Sequence, residues 1–143
     1  MVRQNLDAGS LQRFLDRPLV ATLATYRKDG SALLSPVWQE WRDGGFNIVI
    51  GADDVKARHL RRDPRASVAV YESAPPYTGV ELRTTATFSD ADPHELTRRI
   101  AVRYLGERGG AAYAAATAGE SFVVIRLEPG TVRSWDYGDL LPN

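Results

Sequence analysis

The sequence predicts a mainly β, α+β domain: an antiparallel β-barrel or highly bent sheet with two or three helices outside it. Three observations carry this reading. Segments that alternate or are rich in β-formers outnumber the helical ones. The first of them are joined by turns too short for a parallel crossover. The chain has 143 residues, 43% of them apolar and 25% charged, an ordinary balance for one domain with a core of its own.

Residues 7–17 read as a short helix, with Ser10 as a possible cap and Leu11, Phe14 and Leu15 at helical spacing. Residues 19–26 alternate and form the first long strand. Lys28-Asp29-Gly30 is a turn signal, because Gly tolerates positive φ. Residues 31–41 form a second strand, interrupted by Pro36, which cannot donate to a ladder, so that point is an edge, a bulge or a ligand-facing break. Asp43-Gly44-Gly45 turns the chain into a third strand at residues 46–51, completing a meander. The period then changes. Residues 53–62 suit a helix capped by Asp53 and ended by Asp63-Pro64. Strands follow at residues 66–72 and 79–88. Asp92-Pro93 starts a helix that runs to about Leu105, with a further short helix expected within residues 109–119. Residues 121–127 and 131–135 are the last strands.

Composition excludes several classes of function. Cys is absent, so there is no disulfide framework, thiolate metal site or Cys nucleophile. No apolar run approaches the ~20 residues of a membrane span, and the first residues carry no secretory h-region. A cytoplasmic protein, with no membrane partner, is expected. Eighteen basic and eighteen acidic residues balance, so no general attraction to nucleic acid is expected. Lys28 and Lys56 are the only lysines beside sixteen arginines, which singles out the position of Lys56.

Familiar catalytic signatures are missing: no G-x-S-x-G, no H-E-x-x-H, no P-loop. His59 and His94 are the only histidines and cannot form a multi-His metal site. His94 reads as a solvated helix residue; His59 is either solvated or a ligand contact. A chain this poor in acid and base groups leaves its chemistry to a bound cofactor, for which the protein supplies position and electrostatics. Two segments suit such a role. In residues 50–65 a strand ends at Gly51, a helix begins, and Lys56 and Arg58 fall in its first turns, where backbone N–H groups can take an anion. The bland alternative there is a charged solvent face. In residues 34–38 the proline frees backbone groups for a planar ring, or simply kinks an edge strand.

Taken together, LATYRKDGSALLSPVW, NIVIGADDVKARHLRRDPRASVAV and the later RSWD resemble the flavin and deazaflavin oxidoreductases of the pyridoxamine-phosphate-oxidase-like superfamily. The similarity is closest to the group using FMN or coenzyme F420, an 8-hydroxy-5-deazaflavin. The resemblance implies a six-stranded antiparallel split β-barrel with peripheral helices, of the FMN-binding type, in one domain over residues 1–143. It also implies a homodimer with two cofactor sites at the interface. Carried onto this chain, the ring-facing strand falls on Ser35, Pro36, Val37 and Trp38, the strand end on Ile50 and Gly51, and the cofactor's phosphate and acidic tail on Lys56 and Arg58. His59 stands where the family often has Asn, beside the tail; Thr84 stands where a Gly is common. Tyr77 is expected to wall the substrate side from the neighbouring subunit, and Trp135 and Tyr137 to pack the dimer seam.

The expected activity is hydride transfer from reduced coenzyme F420 to an unsaturated, electron-poor small molecule. FMN is the alternative cofactor. The alternative functions are a carrier that binds flavin, coenzyme F420 or haem without turnover, and an FMN-dependent oxidase of the pyridoxamine-phosphate type. The sequence assigns no catalytic residue and leaves the source of the substrate proton open, with water as one candidate; no metal ligand is expected.

Overall fold

A computed structural model describes residues 3–141. The elements run β1 (Arg3–Gln4), α1 (Ala8–Leu15), β2 (Ala21–Tyr26), β3 (Ala32–Val37), β4 (Glu40–Arg42), β5 (Gly45–Gly51), α2 (Val55–Arg62), β6 (Arg65–Tyr71), β7 (Gly79–Ser89), α3 (Pro93–Ala116), β8 (Phe122–Leu127) and β9 (Thr131–Asp136), then a 3-10 turn (Gly138–Leu140). The strands form one antiparallel sheet in the order β3-β2-β6-β7-β8-β5-β4, with β9 paired to β7 and β1 to β9. It curls into a half-barrel around Leu15, Leu23, Phe46, Ile48, Leu82, Ile125 and Leu127, all fully buried.

The curl has a local cause. β8 and β9 lie end to end along one edge of β7: Phe88 and Ala86 face Ile125 and Leu127, and Arg83 to Gly79 face Thr131 to Trp135. Between these registers residues 128–130 face residues 84–85, a bulge that bends the ladder and increases its twist. Gly130 permits it, because a Cβ there would sit 2.3 Å from the Arg83 carbonyl oxygen. Thr84 Oγ1 donates to the Glu128 carbonyl at 2.6 Å and closes the gap.

Most expected elements are present, with corrections in strand number, in the first pairings and in the helix caps. Among the described residues nine strands form in place of the seven segments read, because the short β1 joins the ladder and the second expected strand splits into β3 and β4. β3 pairs with β2 but not with β4 or β5, so the first strands do not form the expected meander. Of the alternatives for Pro36 the edge is the one that forms: it lies within β3, opposite Thr22, on an edge strand, where a missing N–H is tolerated, and it does not break the strand. The ladder stops at Gln39, whose N–H donates to the Tyr104 hydroxyl at 3.0 Å. The cap of α1 is Asp7, which accepts from the Ser10 N–H, and the cap of α2 is Asp54 rather than Asp53. The helix begun at Pro93 ends at Leu105 as expected: the chain breaks at Gly106 (φ 79°), and the further short helix, residues 107–116, forms a second limb of α3 that folds back on the first. Gly110 there lies so close to Val102 that a Cβ would be 2.6 Å from the Val102 backbone.

One ion pair ties α3 to the half-barrel. Arg99 donates twice to the buried Glu40 carboxylate, at 2.6 and 2.8 Å, and the Asn47 amide adds a third bond at 3.0 Å. Burial alone would raise the Glu40 carboxyl, but the bonds from Arg99 and Asn47 and the charges of Arg99 and Arg42 outweigh it and hold it below its ordinary value. A carboxyl lowered on folding stabilises fully above the unfolded value, near ~4.3, and loses that contribution as pH falls through the lower folded value. We expect Arg99→Ala to cost about 2 kcal/mol, below the range for a fully buried pair because Arg99 is partly exposed. Urea titrations between pH 7 and pH 3 check this. The acid loss of stability should shrink in Glu40→Gln.

Candidate cofactor cleft

The end of β3, the end of β5 and the start of α2 meet at one mouth of the half-barrel. Their junction is a cleft of about 410 Å³. Pro36, Val37 and Trp38 line one side, Val49, Ile50 and Gly51 the other, and Asp54 and Lys56 the rim, with Val20, Tyr113 and Phe122 completing it. The ladder explains the meeting: Gly51 pairs with Phe122 at the first residue of β8, and α2 begins four residues after Gly51.

Trp38 is the most firmly placed wall. Its ring stacks on Tyr104 at 5.0 Å with 10° between planes, and meets Tyr113 at 5.0 Å and 53°. The Tyr104 hydroxyl is fixed in turn, donating to the Leu19 carbonyl at 2.8 Å while accepting from the Gln39 N–H. Burial pushes the Tyr104 phenol above its ordinary value, so it stays a protonated donor. Behind Trp38 a chamber of about 50 Å³ adjoins the cleft, walled by Trp38, Val49, Thr97, Ile100, Tyr113 and Phe122.

The rim is electrostatically paired. Asp54 Oδ1 accepts the Lys56 N–H at 2.9 Å as the helix cap, and Oδ2 accepts from Lys56 Nζ at 3.0 Å. Burial alone would raise the Asp54 carboxyl, but both Lys56 bonds and the charges of Lys56 and Arg58 hold it below its ordinary value. The end of α2 thus carries its own carboxylate. An incoming anion shares Lys56 with Asp54, using the ammonium protons that Asp54 leaves free.

Of the ten residues singled out from the sequence, Pro36, Val37, Trp38, Ile50, Gly51 and Lys56 line the cleft. Four do not. Ser35 sits in the ladder opposite Leu23. Arg58 is exposed and reaches back to the Asp53 carbonyl at 3.4 Å. His59 turns into the barrel wall, where Nδ1 lies 3.0 Å from Thr25 Oγ1 and both side chains are buried. Burial, then the charges of Arg62, Arg27 and Arg58, push its pKa down, so it is a neutral structural residue off the cleft. Tyr77 is exposed in the β6–β7 connection, where the Pro76 carbonyl accepts the Tyr137 N–H, and it lies outside the cleft of its own chain. Sequence reasoning missed Val20, Val49, Asp54, Tyr113 and Phe122. Tyr113 had a visible signal: it is the only aromatic in a stretch made otherwise of Gly, Ala and Thr. Among the described residues no group of three His, Cys, Asp or Glu side chains could hold a metal ion.

Comparison with known proteins places this geometry. A conserved hypothetical protein from Mycobacterium tuberculosis superposes with TM-score 0.79 at 26% identity, over 97% of this chain and 91% of that one. An F420 reductase gives 0.67 at 23% identity, over 85% and 94% of the two chains. The haem storage protein HutZ from Vibrio cholerae gives 0.67 at 20% identity, over 90% and 94%. The last two likenesses show the fold. No curated protein matches the sequence significantly. The family model described as pyridoxamine 5'-phosphate oxidase matches residues 9–136, from α1 to the end of β9. With the curled antiparallel sheet and its helices, that match makes the chain a member of the pyridoxamine 5'-phosphate oxidase-like split-barrel family.

Proposed function

We propose that the protein is an oxidoreductase that uses reduced coenzyme F420 to pass hydride to an unsaturated, electron-poor small molecule, with FMN as the alternative cofactor. The observation that carries this is the cleft itself, which has flat and aliphatic walls, one ammonium at its rim, and about 410 Å³ of space. These residues fit a planar ring with an anionic tail. Trp38, Pro36 and Val37 would face the ring, and Lys56 would take the tail. When bound, such a cofactor supplies the hydride chemistry, which the chain's own side chains lack. The protein's part is to orient the ring against a fixed wall, exclude water from one face, and place a positive charge by the tail. No cleft side chain is assigned as a general acid, and water supplies the substrate proton.

A haem carrier is supported less well. Among the described residues lining the cleft none is His, Met or Cys, and Tyr113 is the single residue there of a type that ligates haem iron. An oxidase acting on a phosphorylated pyridoxamine needs a second phosphate site, and among the described residues Lys56 is the one basic residue lining the cleft.

The proposal includes a homodimer with the cofactor sites at its interface and operation in the cytoplasm. The outer face of the sheet supports the dimer. Leu34, 65% exposed, stands with Thr22, Ala24, Ser67 and Ala69 in a shallow depression, and Tyr71, Tyr77, Tyr137 and Leu140 are exposed apolar side chains at one end. Among the described residues no helix is long and apolar enough to cross a membrane.

Fluorescence titration at matched ionic strength tests the cofactor. Coenzyme F420 should bind more tightly than FMN; equal or tighter FMN binding reverses that ranking. A charge-assisted contact is worth about 1.5–3 kcal/mol, so Lys56→Ala should weaken binding about ten- to a hundredfold, less at high salt. Lys28→Ala, in the β2–β3 turn, is the control. Asp54→Asn keeps a capping oxygen but removes the competing charge, and should tighten binding of the anionic cofactor. Light scattering at micromolar concentration should report a dimer, and a monomer would sink the shared-site arrangement.

A further inference from the structure

The chamber behind Trp38 has no place in the proposal above, and its chemistry is specific. Its volume is about 50 Å³. A water molecule's share of liquid volume is ~30 Å³, so the chamber has room for one or two non-hydrogen atoms. Trp38, Val49, Ile100 and Phe122 offer it apolar surface. The Thr97 hydroxyl donates to the Pro93 carbonyl at 2.7 Å as part of the first limb of α3, which leaves its oxygen only as an acceptor, and Tyr113 brings a hydroxyl-bearing ring to the wall. The chamber is therefore a small, mostly apolar space defined by its size.

Its position is equally definite. Trp38, Val49, Tyr113 and Phe122 line both the cleft and the chamber, so the two spaces adjoin across shared walls. Thr97 and Ile100 line the chamber but not the cleft. Those shared walls are held in place. Trp38 is locked by Tyr104, and Tyr113 is carried on the limb that Gly106 turns back and Gly110 seats against Val102.

We propose that this chamber is a selectivity pocket for a short alkyl branch, one or two carbons long, on a flat ring held in the main cleft. It admits methyl or ethyl and rejects longer chains by size. The inference shares with the proposed function only the premise that a planar ring occupies the cleft. It does not depend on which cofactor binds, or on turnover.

Two probes test it, neither of which needs a cofactor. Xenon, an apolar atom of suitable size, should bind in the chamber in a pressurised crystal. In solution, phenol, 4-methylphenol, 4-ethylphenol and 4-butylphenol should be titrated into the protein and followed by amide chemical shifts. Each buried carbon should tighten binding about fourfold, up to ethyl, with no further gain at butyl. Thr97→Met fills the chamber. It should abolish xenon binding and the alkyl gain while leaving phenol unchanged. Thr97→Val loses only the local hydroxyl bond and should behave as wild type. Ile100→Ala enlarges the chamber and should extend the gain to butyl. No xenon site, or an alkyl gain that Thr97→Met leaves intact, overturns the proposal. Failure of coenzyme F420 and FMN to bind, with the phenol series behaving as described, overturns the proposed function and leaves the pocket standing.

Discussion

The architecture depends on β7 having two partners in succession along one edge. An eleven-residue strand cannot stay flat when its neighbour inserts an extra residue midway. The bulge opposite residues 84–85 forces the turn, and the sheet's two halves face each other because of it. Everything that makes the cleft follows from that geometry. β5 reaches the mouth because it pairs with β8, and α2 reaches it because β5 ends there. Gly130 is the residue on which the bend turns, since any side chain at that point meets the backbone of Arg83.

The long helix then fixes what the sheet leaves open. Arg103 points its guanidinium at the carbonyls of Leu15, Asp16 and Arg17, satisfying the end of α1. Tyr104 takes the next carbonyl, Leu19, and Arg99 takes Glu40. Three residues within six positions thus attach α3 to the end of α1, to Leu19 ahead of β2 and to Glu40 of β4. The cleft wall is rigid because its support is polar and directional, while the rest of the helix rests on the apolar contacts of Leu96 and Ile100.

The fold was legible in the sequence wherever a local signal decided the local structure. Asp29-Gly30, Asp92-Pro93 and the alternation through residues 19–26 each act over a few residues, and each gave the element that forms. The readings that missed were decided by groups distant in sequence. The cap of α2 is a local exception: two adjacent aspartates both suit it, and the helix starts at Val55, so Asp54 accepts the Lys56 N–H as well as Lys56 Nζ. Pro36 left an edge and a break both open, and the break is at Gln39, whose partner lies sixty-five positions away. In the candidate cleft, the apolar strand-end residues and Lys56 were visible because they flank recognisable turns and caps. His59 was misread because a histidine facing solvent and one facing Thr25 have the same helical neighbours. The helix in the Gly/Ala-rich stretch was legible, but its place as the outer wall was not: the stretch has almost no amphipathic pattern beyond Tyr113, and the reversal at Gly106 shows only as one glycine among several.

The three tryptophans have a spectroscopic consequence. Trp38 lies at the cleft between two tyrosines, Trp41 packs edge-on to Phe46 at 4.9 Å beside the core, and Trp135 lies on the outer sheet face under Arg133 at 4.7 Å. The molecule therefore carries three intrinsic fluorophores in three separate environments. Tyrosine excitation feeds Trp38 most directly, so a ligand entering the cleft changes one emission band. Loss of core packing changes a second, and covering of the outer sheet face a third. Three single-tryptophan variants, keeping one each, would let occupancy, unfolding and association be followed as three independent optical signals.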